Sequence, residues 1–289
     1  MMNREEVRKY QMAQLRLLEY FDSVCTSMGL KYYLVFGTLL GAVRHKGFIP
    51  WDADIDVAMF REDYETFKKE FIKQPNDMLF YQHYESEKNH SSPHAVLKIK
   101  GTHVYFNKVN ASNYKPLYDG IYIDLFPIDN VSEDVKQQNA QVNRIARIRR
   151  FVSYKLAPVY SNTSAFGKFV KLFISFVLKP ISFHALFQKA DKVMQKYDSN
   201  RNSERVAILT DPLVFKKQLF PRSVFGDGKF VDFEGKKFRV PVNAELFLSI
   251  RYGNYMELPP EKDRWKYLEN AISKVDYGNT TFLDSLEEV

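Results

Sequence analysis

Apolar residues near the amino terminus recur at helical spacing, with Val7, Tyr10, Leu17, Phe21, Val24 and Met28 set among charged positions. That stripe predicts an amphipathic helix over 4–29, closed by Gly29, since glycine accepts the left-handed conformation that ends a helix. A run of strand formers at 32–36 stops at Gly37, and Thr38, a good N-cap, opens a short helix to about Arg44. The loop 45–51 carries Gly47 and Pro50 and leads to a strand at about 54–59, then to a helix over 61–73. Further strands are expected at 79–84, 95–100, 103–107 and 120–126, followed by a helix-rich section from about 132 to 200. A strand pair around 229–240, turning at Glu234-Gly235, precedes a helix at 243–252.

Strands and helices of this kind give an α+β chain: a mixed β-sheet core flanked by helices, with a helical insertion or subdomain. Three parts are expected: a catalytic core over 1–130, a basic helical subdomain over 131–217, and a C-terminal part over 218–289 that packs back on the core. Charge sharpens this division. Residues 136–217 hold 16 Lys/Arg against 4 Asp/Glu, a balance of +12, while the remainder stands at −5. A basic middle on a mildly acidic frame implies an anionic partner. The single cysteine, Cys25, excludes an intrachain disulfide framework and a cysteine-rich zinc site, and its place in the first helix reads as a buried thiol. The start has no apolar signal region and no run is long enough to span a bilayer, so a cytoplasmic protein is expected, peripheral at most to the inner face of the cell membrane.

The informative stretch runs from Phe36 to Val57. Asp54 and Asp56 lie two apart on a strand, so their side chains leave the same face while Ile55 and Val57 enter the core. Two such carboxylates repel unless a cation lies between them. Oxygen ligands without a nearby histidine pair favour Mg²⁺ or Mn²⁺ over zinc. Gly37-Thr38 sits where a strand becomes a helix, a place where backbone N–H groups can meet a phosphate. A phosphate cradle followed by paired carboxylates is the minimal equipment for metal-assisted phosphoryl transfer.

The same stretch resembles the signature of the LicD family, within the superfamily that includes DNA polymerase beta. The superfamily pattern has a helix-opening Gly-Thr or Gly-Ser, then Asp-x-Asp/Glu, then a third carboxylate on a later strand; Gly37-Thr38 and Asp54-Ile55-Asp56 match the first two. Asp124, in Gly120-Ile121-Tyr122-Ile123-Asp124-Leu125-Phe126-Pro127, is taken as the third, with Asp129 as the alternative, although Asp129 reads as a turn residue. The block from Tyr252 to Pro260 is similar to the family's usual ending. Ala53 replaces a frequent middle aspartate, and Arg264-Trp265-Lys266 stands where a histidine is often found. The resemblance implies a nucleotidyltransferase-like core, Asp54, Asp56 and Asp124 as catalytic metal ligands, and a substrate site including Gly37, Thr38 and Asp52.

Arg44, His45 and Lys46 lie between cradle and carboxylates, where cations neutralise a diphosphate, against the plainer reading of a solvated basic turn. Lys98, which shares a strand face with Lys100, is a further candidate for substrate phosphate; an exposed strand edge is the plainer alternative. Trp51 either stacks on a base or packs under its loop, with packing favoured. His90 and His94 are four apart, but Ser91, Ser92 and Pro93 place them in a loop rather than a zinc site. The aromatic segment 166–187, broken by Pro180 and carrying three lysines before position 180, fits equally a helix packed on the core and one lying on anionic lipid.

The resemblance implies transfer of phosphocholine from CDP-choline to a cell-surface polysaccharide or teichoic-acid precursor carried on lipid, with release of CMP. CDP-glycerol and CDP-ribitol are alternative donors. A nucleotidyltransferase acting on RNA or a small molecule, and a non-catalytic membrane scaffold, rank behind; nucleic acid is not among the expected partners.

Overall fold

A computed structural model of the chain describes residues 2–73, 76–88, 90, 92–106, 117–156, 164–178, 180–199, 203–265, 272–279 and 281–284. Helix α1 (Arg4–Ser27) begins with a capping box: the Asn3 side chain accepts from the N–H groups of Glu5 and Glu6, and Glu6 takes the Asn3 N–H in return. Its stripe of Val7, Tyr10, Leu17, Leu18, Phe21 and Cys25 is buried. Two glutamines on that helix reach functional backbone. Gln14 donates to the Tyr122 carbonyl at 2.9 Å, and Gln11 to the Asp52 carbonyl at 2.7 Å, so α1 fixes the loop that delivers the aspartates.

The central sheet runs in the order β1 (Tyr33–Leu34), β2 (Asp56–Phe60), β6 (Tyr122–Asn130), β4 (Ala95–Ile99), β3 (Leu79–Gln82). Only β2 and β6 are parallel; the other neighbours are antiparallel. Helix α2 (Phe36–His45) connects β1 towards β2, and α3 (Arg61–Lys73) leaves the end of β2. Beyond β4 lies β5 (His103–Phe106), paired with β11 (Ile272–Asp276), a C-terminal strand that its sequence did not announce. Short strands β7 (Arg205–Ala207) and β8 (Leu219–Pro221), also unexpected, continue the sheet from the far end of β6. Three residues give little period to read, so such strands form by pairing with an existing edge rather than by pattern.

The hairpin β9 (Lys229–Phe233) and β10 (Lys236–Val240) turns at Glu234 (φ 55°) and Gly235 (φ 77°), as expected of a two-residue turn with both central residues left-handed. Its Glu234 carboxylate takes the Phe48 N–H at 2.9 Å and an ion pair from Arg8, which ties the hairpin to the 45–51 loop. The helical section contains α4 (Val135–Leu156), α5 (Ala165–Leu178) and α6 (Phe183–Met194), with a hydrophobic cluster of its own around Ile145, Val152, Phe187, Met194 and Leu209. Helix α7 (Ala244–Tyr252) returns to the main core, its Phe247 stacked on Phe220 at 4.3 Å. Positions 107, 157–163, 179, 200 and 266 of the elements and blocks expected above lie outside the described residues.

Three local readings change. Thr38 does not cap α2: Val35 precedes the first turn with no side-chain cap, and the Thr38 hydroxyl instead accepts the Asp56 N–H at 2.8 Å. Asp129 is no turn residue but part of β6, fully buried and paired with Arg61 at 2.6 Å. Strand β4 is interior, between β3 and β6, so Lys98 (9% exposed) is not on an exposed edge.

Candidate functional site

The site begins where β1 gives way to α2. Phe36 is held at φ 48°, a conformation most side chains avoid, and its ring packs edge-on against Phe126 at 5.4 Å. This turn brings Gly37 against the aspartates. A Cβ on Gly37 would stand 2.6 Å from Asp52 Oδ2, so only glycine lets that carboxylate close over the helix start.

Asp56 is fixed from several directions through its backbone. Its N–H goes to Thr38, its carbonyl accepts the Val35 N–H at 3.1 Å, and the Asp124 N–H donates to the adjacent Ile55 carbonyl at 2.8 Å. Asp56 and Asp124 are register partners on the parallel pair β2 and β6. Partners in register put their side chains on one face, so the sheet itself brings these two aspartates together. The Asp124 carboxylate is held by His94 Nε2 at 3.0 Å; Ser92 Oγ meets His94 Nδ1 at 2.9 Å, and the imidazole lies 4.5 Å from the Phe126 ring.

The electrostatics follow from crowding. Burial, then the charges of Asp56 and Asp52, push the Asp54 carboxyl well above the usual range. Asp56 is raised well above it by burial and by Asp124, while Arg251 and the Gly37 N–H act against the rise. Asp52 is raised by burial, and its hydrogen bonds with Asp54 and the Ala53 N–H offset part of that. Such a group is stabilised in its ionised form by a cation, and all its donors are oxygens, a set that suits Mg²⁺ or Mn²⁺. Among the described residues no three His, Cys, Asp or Glu side chains are already gathered into a cage for an ion. Mg²⁺ is commonly held by one or two carboxylates, with water and substrate phosphate completing its shell, so the pair Asp54 and Asp56 fits it.

These residues floor a cleft of about 830 Å³. Gly37, Asp52, Asp54 and Asp56 line it with Phe36, His94 and Phe126; across from them stand Arg149 of α4, Thr210, Asp211 and Gln218, and Arg251 and Tyr252 of α7. Arg251 also lies over the Phe36 ring at 4.9 Å. Burial lowers the pKa of Arg149, a shift that Asp211 opposes.

The other residues singled out in the sequence lie elsewhere. Arg44 donates to the Tyr255 and Glu257 carbonyls at 2.8 and 3.3 Å, bracing the block that ends in Pro259-Pro260. Lys46 (φ 60°) caps α2, and its carbonyl accepts the Glu234 N–H. His45 meets the Trp51 ring edge-on at 6.0 Å, and Trp51 packs on the main core beneath Arg264. Lys98 donates to the Tyr118 carbonyl at 2.9 Å in a small separate cavity that shares Ser92 with the cleft; burial lowers its pKa to about 8. The sequence reading did not assign His94, Arg149, Thr210, Asp211, Gln218, Arg251 or Tyr252 to the site, and all of them line the cleft. Spacing argued only against a zinc site at His94, Arg149 is one of ten Lys/Arg between 135 and 190, and Arg251-Tyr252 borders the C-terminal block without an acidic partner in sequence.

An α+β protein with an acidic cleft over its parallel strand pair, faced by arginines from two helices, is the class these observations define. The chain is similar to the family described as LicD/FKTN/FKRP, nucleotidyltransferase domain, whose pattern matches residues 29–164. The lipopolysaccharide cholinephosphotransferase LicD of Haemophilus influenzae is 29% identical over 270 residues, 91% of this chain and 96% of that protein. The ribitol 5-phosphate transferase FKRP of Homo sapiens is 46% identical over 44 residues, 15% of this chain and 9% of its own length. An uncharacterized protein of Rickettsia prowazekii is 38% identical over 65 residues, covering 20% of this chain and 24% of that one.

Proposed function

We propose that this chain transfers a phospho-alcohol group, phosphocholine from CDP-choline in the first instance, to a hydroxyl of a lipid-linked cell-surface glycan or teichoic-acid precursor. The reading is carried by the register of Asp56 with Asp124 beside Asp54, supported by a relative named as a cholinephosphotransferase that aligns along nearly the whole chain. The acceptor oxygen bonds to the distal phosphorus, the bond from that phosphorus to the bridging oxygen breaks, and CMP leaves with the electron pair. Asp124, oriented by His94, takes the hydroxyl proton. Asp54 and Asp56 would hold Mg²⁺ or Mn²⁺, which when bound neutralises diphosphate charge and polarises the phosphorus under attack. Arg149 and Arg251 bind phosphate oxygens from the other walls, as guanidinium groups do well. Phe36, Phe126 and Tyr252 line the same cleft and supply aromatic rings of the kind a quaternary ammonium group prefers as neighbours.

The test is nucleotide release from CDP-choline with Mg²⁺ and a lipid-linked glycan extract, with Asp56→Asn as control. CMP formed only with metal, extract and Asp56 supports the reading; free phosphocholine in place of CMP overturns the assignment of the attacked phosphorus. Local similarity to a ribitol 5-phosphate transferase gives CDP-ribitol a place in the same assay, with CDP-glycerol beside it. Success with either alone changes the donor and keeps the site. Silence with every CDP-alcohol sinks the proposal and leaves nucleotidyl transfer to be tried. The same reading puts the protein at the inner face of the cell membrane, where a lipid-linked acceptor is presented.

A further inference from the structure

The segment 166–187 divides: Phe183 and Phe187 pack on the hydrophobic cluster of the helical section, whereas the aromatic residues described within α5 do not. Within α5, Phe169, Leu172, Phe173, Phe176 and Val177 are 66, 56, 60, 74 and 52% exposed. Their spacing of three, one, three and one residues makes them a single stripe along one side of the helix. Ile181, just beyond the helix end, adds a further exposed apolar side chain at 38%. Helix α5 packs on α4, and the Lys155 ammonium of α4 donates to the Ile181 carbonyl at 2.7 Å, so the helix is attached while its apolar side faces outward. A contiguous apolar surface of this kind marks a contact with something other than water.

Charge identifies that contact. From 135 to 190 the chain has ten Lys/Arg and no Asp or Glu. Helix α4 turns Arg144, Arg147 and Arg150 to solvent. A short apolar helix within a purely basic stretch is suited to the headgroup–acyl boundary of a bilayer rich in acidic phospholipid, where apolar burial and cationic attraction add. Among the described residues no helix is long and apolar enough to cross a membrane. We infer that α5 lies flat on an anionic bilayer, its Phe169–Val177 stripe inserted and the basic surface of α4 beside it. The inference adds a place of work to the reading above, and vesicle binding needs neither donor nor acceptor, so the two fail separately.

The experiment is co-sedimentation of the full chain with vesicles of phosphatidylcholine alone and of phosphatidylcholine mixed with phosphatidylglycerol, with light scattering to count copies. Binding to the mixed vesicles, weakened by salt and roughly tenfold or more weaker without phosphatidylglycerol, is expected. The double variant Phe173→Asp/Phe176→Asp should lose that binding by a similar factor while melting as the parent does. No binding to the mixed vesicles, or binding unchanged in the double variant, overturns the inference. So does a dimer that the double variant splits without any vesicle binding, since the stripe is then a contact between two copies.

Discussion

Asp56 and Asp124 face one another in register on the only parallel pair of strands in the described sheet, and His94 holds the second of them at 3.0 Å. Neutralising Asp56 removes charge from the floor of the cleft without removing packing. Asp56→Asn is therefore expected to lower kcat by about 10²–10³-fold. The metal-free protein should melt no lower than the parent, because like charges have been separated. His94→Gln, which loosens the orientation of Asp124 only, should cost about 10–100-fold. Steady-state rates beside thermal melts check all three. Full activity in Asp56→Asn would remove the floor from the mechanism.

Gly37 is placed for closeness rather than for backbone freedom. Its φ is ordinary, yet a methyl group there would meet Asp52 Oδ2 at 2.6 Å. Gly37→Ala should thus keep the helix, which alanine favours by about 1 kcal/mol, and displace Asp52 from the floor. A shift of this size in a reacting geometry commonly costs about 10²-fold in rate. The outcome to look for is a stable protein with low kcat; unchanged kcat would mean that the position of Asp52 is immaterial.

How much of this was legible depends on which force fixed each residue. Asp54 and Asp56 were readable from their two-residue spacing at the entry to a strand, although β2 itself begins only at Asp56 and Asp54 lies in the loop before it. The α1 stripe and the 229–240 hairpin were readable because period and turn chemistry are local. Asp124 came from the resemblance, and its setting beside Asp56 is a matter of sheet register, which no local pattern reveals. His94, Arg149 and Arg251 enter the cleft from a loop and from two helices, α4 and α7, brought over it by tertiary packing. Arg44 and Trp51 show the converse: close in sequence to the aspartates, they are turned by the loop's own packing towards the C-terminal block and the core.

Arg149 makes no hydrogen bond or ion pair with the described residues, and it lines the cleft. A guanidinium that burial has partly stripped of water gains most when an anion arrives, so its contribution belongs to the bound state. Arg149→Gln is expected to raise KM for the CDP-linked donor by roughly tenfold or more, the worth of a charged hydrogen bond. Arg150→Gln, on the solvent side of the same helix, should leave KM as it was. Equal effects at the two positions would mean that only the general charge of α4 counts.

Arg61 joins three elements. It pairs with Asp129 of β6 at 2.6 Å, with Asp191 of α6 at 2.8 Å and with Glu65 of its own helix at 3.2 Å. Asp129 has no exposure at all, so Arg61→Met would strand a buried carboxylate. Loss of about 3–5 kcal/mol in unfolding free energy is expected, read from urea melts. The double change Arg61→Met/Asp129→Leu should recover part of it, since the penalty comes from the charge left behind.

Asp198 sits at the edge of that cluster, 3.9 Å from Arg61 Nε, with its Oδ1 taking the Asn130 N–H at 3.2 Å and its Oδ2 buried without a hydrogen bond. Burial first, and then the charge of Asp129, raise its pKa to about 7, with Arg61 and the Asn130 N–H opposing. The folded protein therefore favours the protonated acid. That preference contributes stability in full below the ordinary carboxylate value and loses it as pH rises through about 7. Asp198→Asn keeps the acceptor for Asn130 and cannot ionise. Its stability relative to the parent should accordingly climb between about pH 4 and pH 7 and then level off, as urea melts across that range would record. A difference that stays flat with pH would place the Asp198 carboxyl at its ordinary value and its Oδ2 in contact with water.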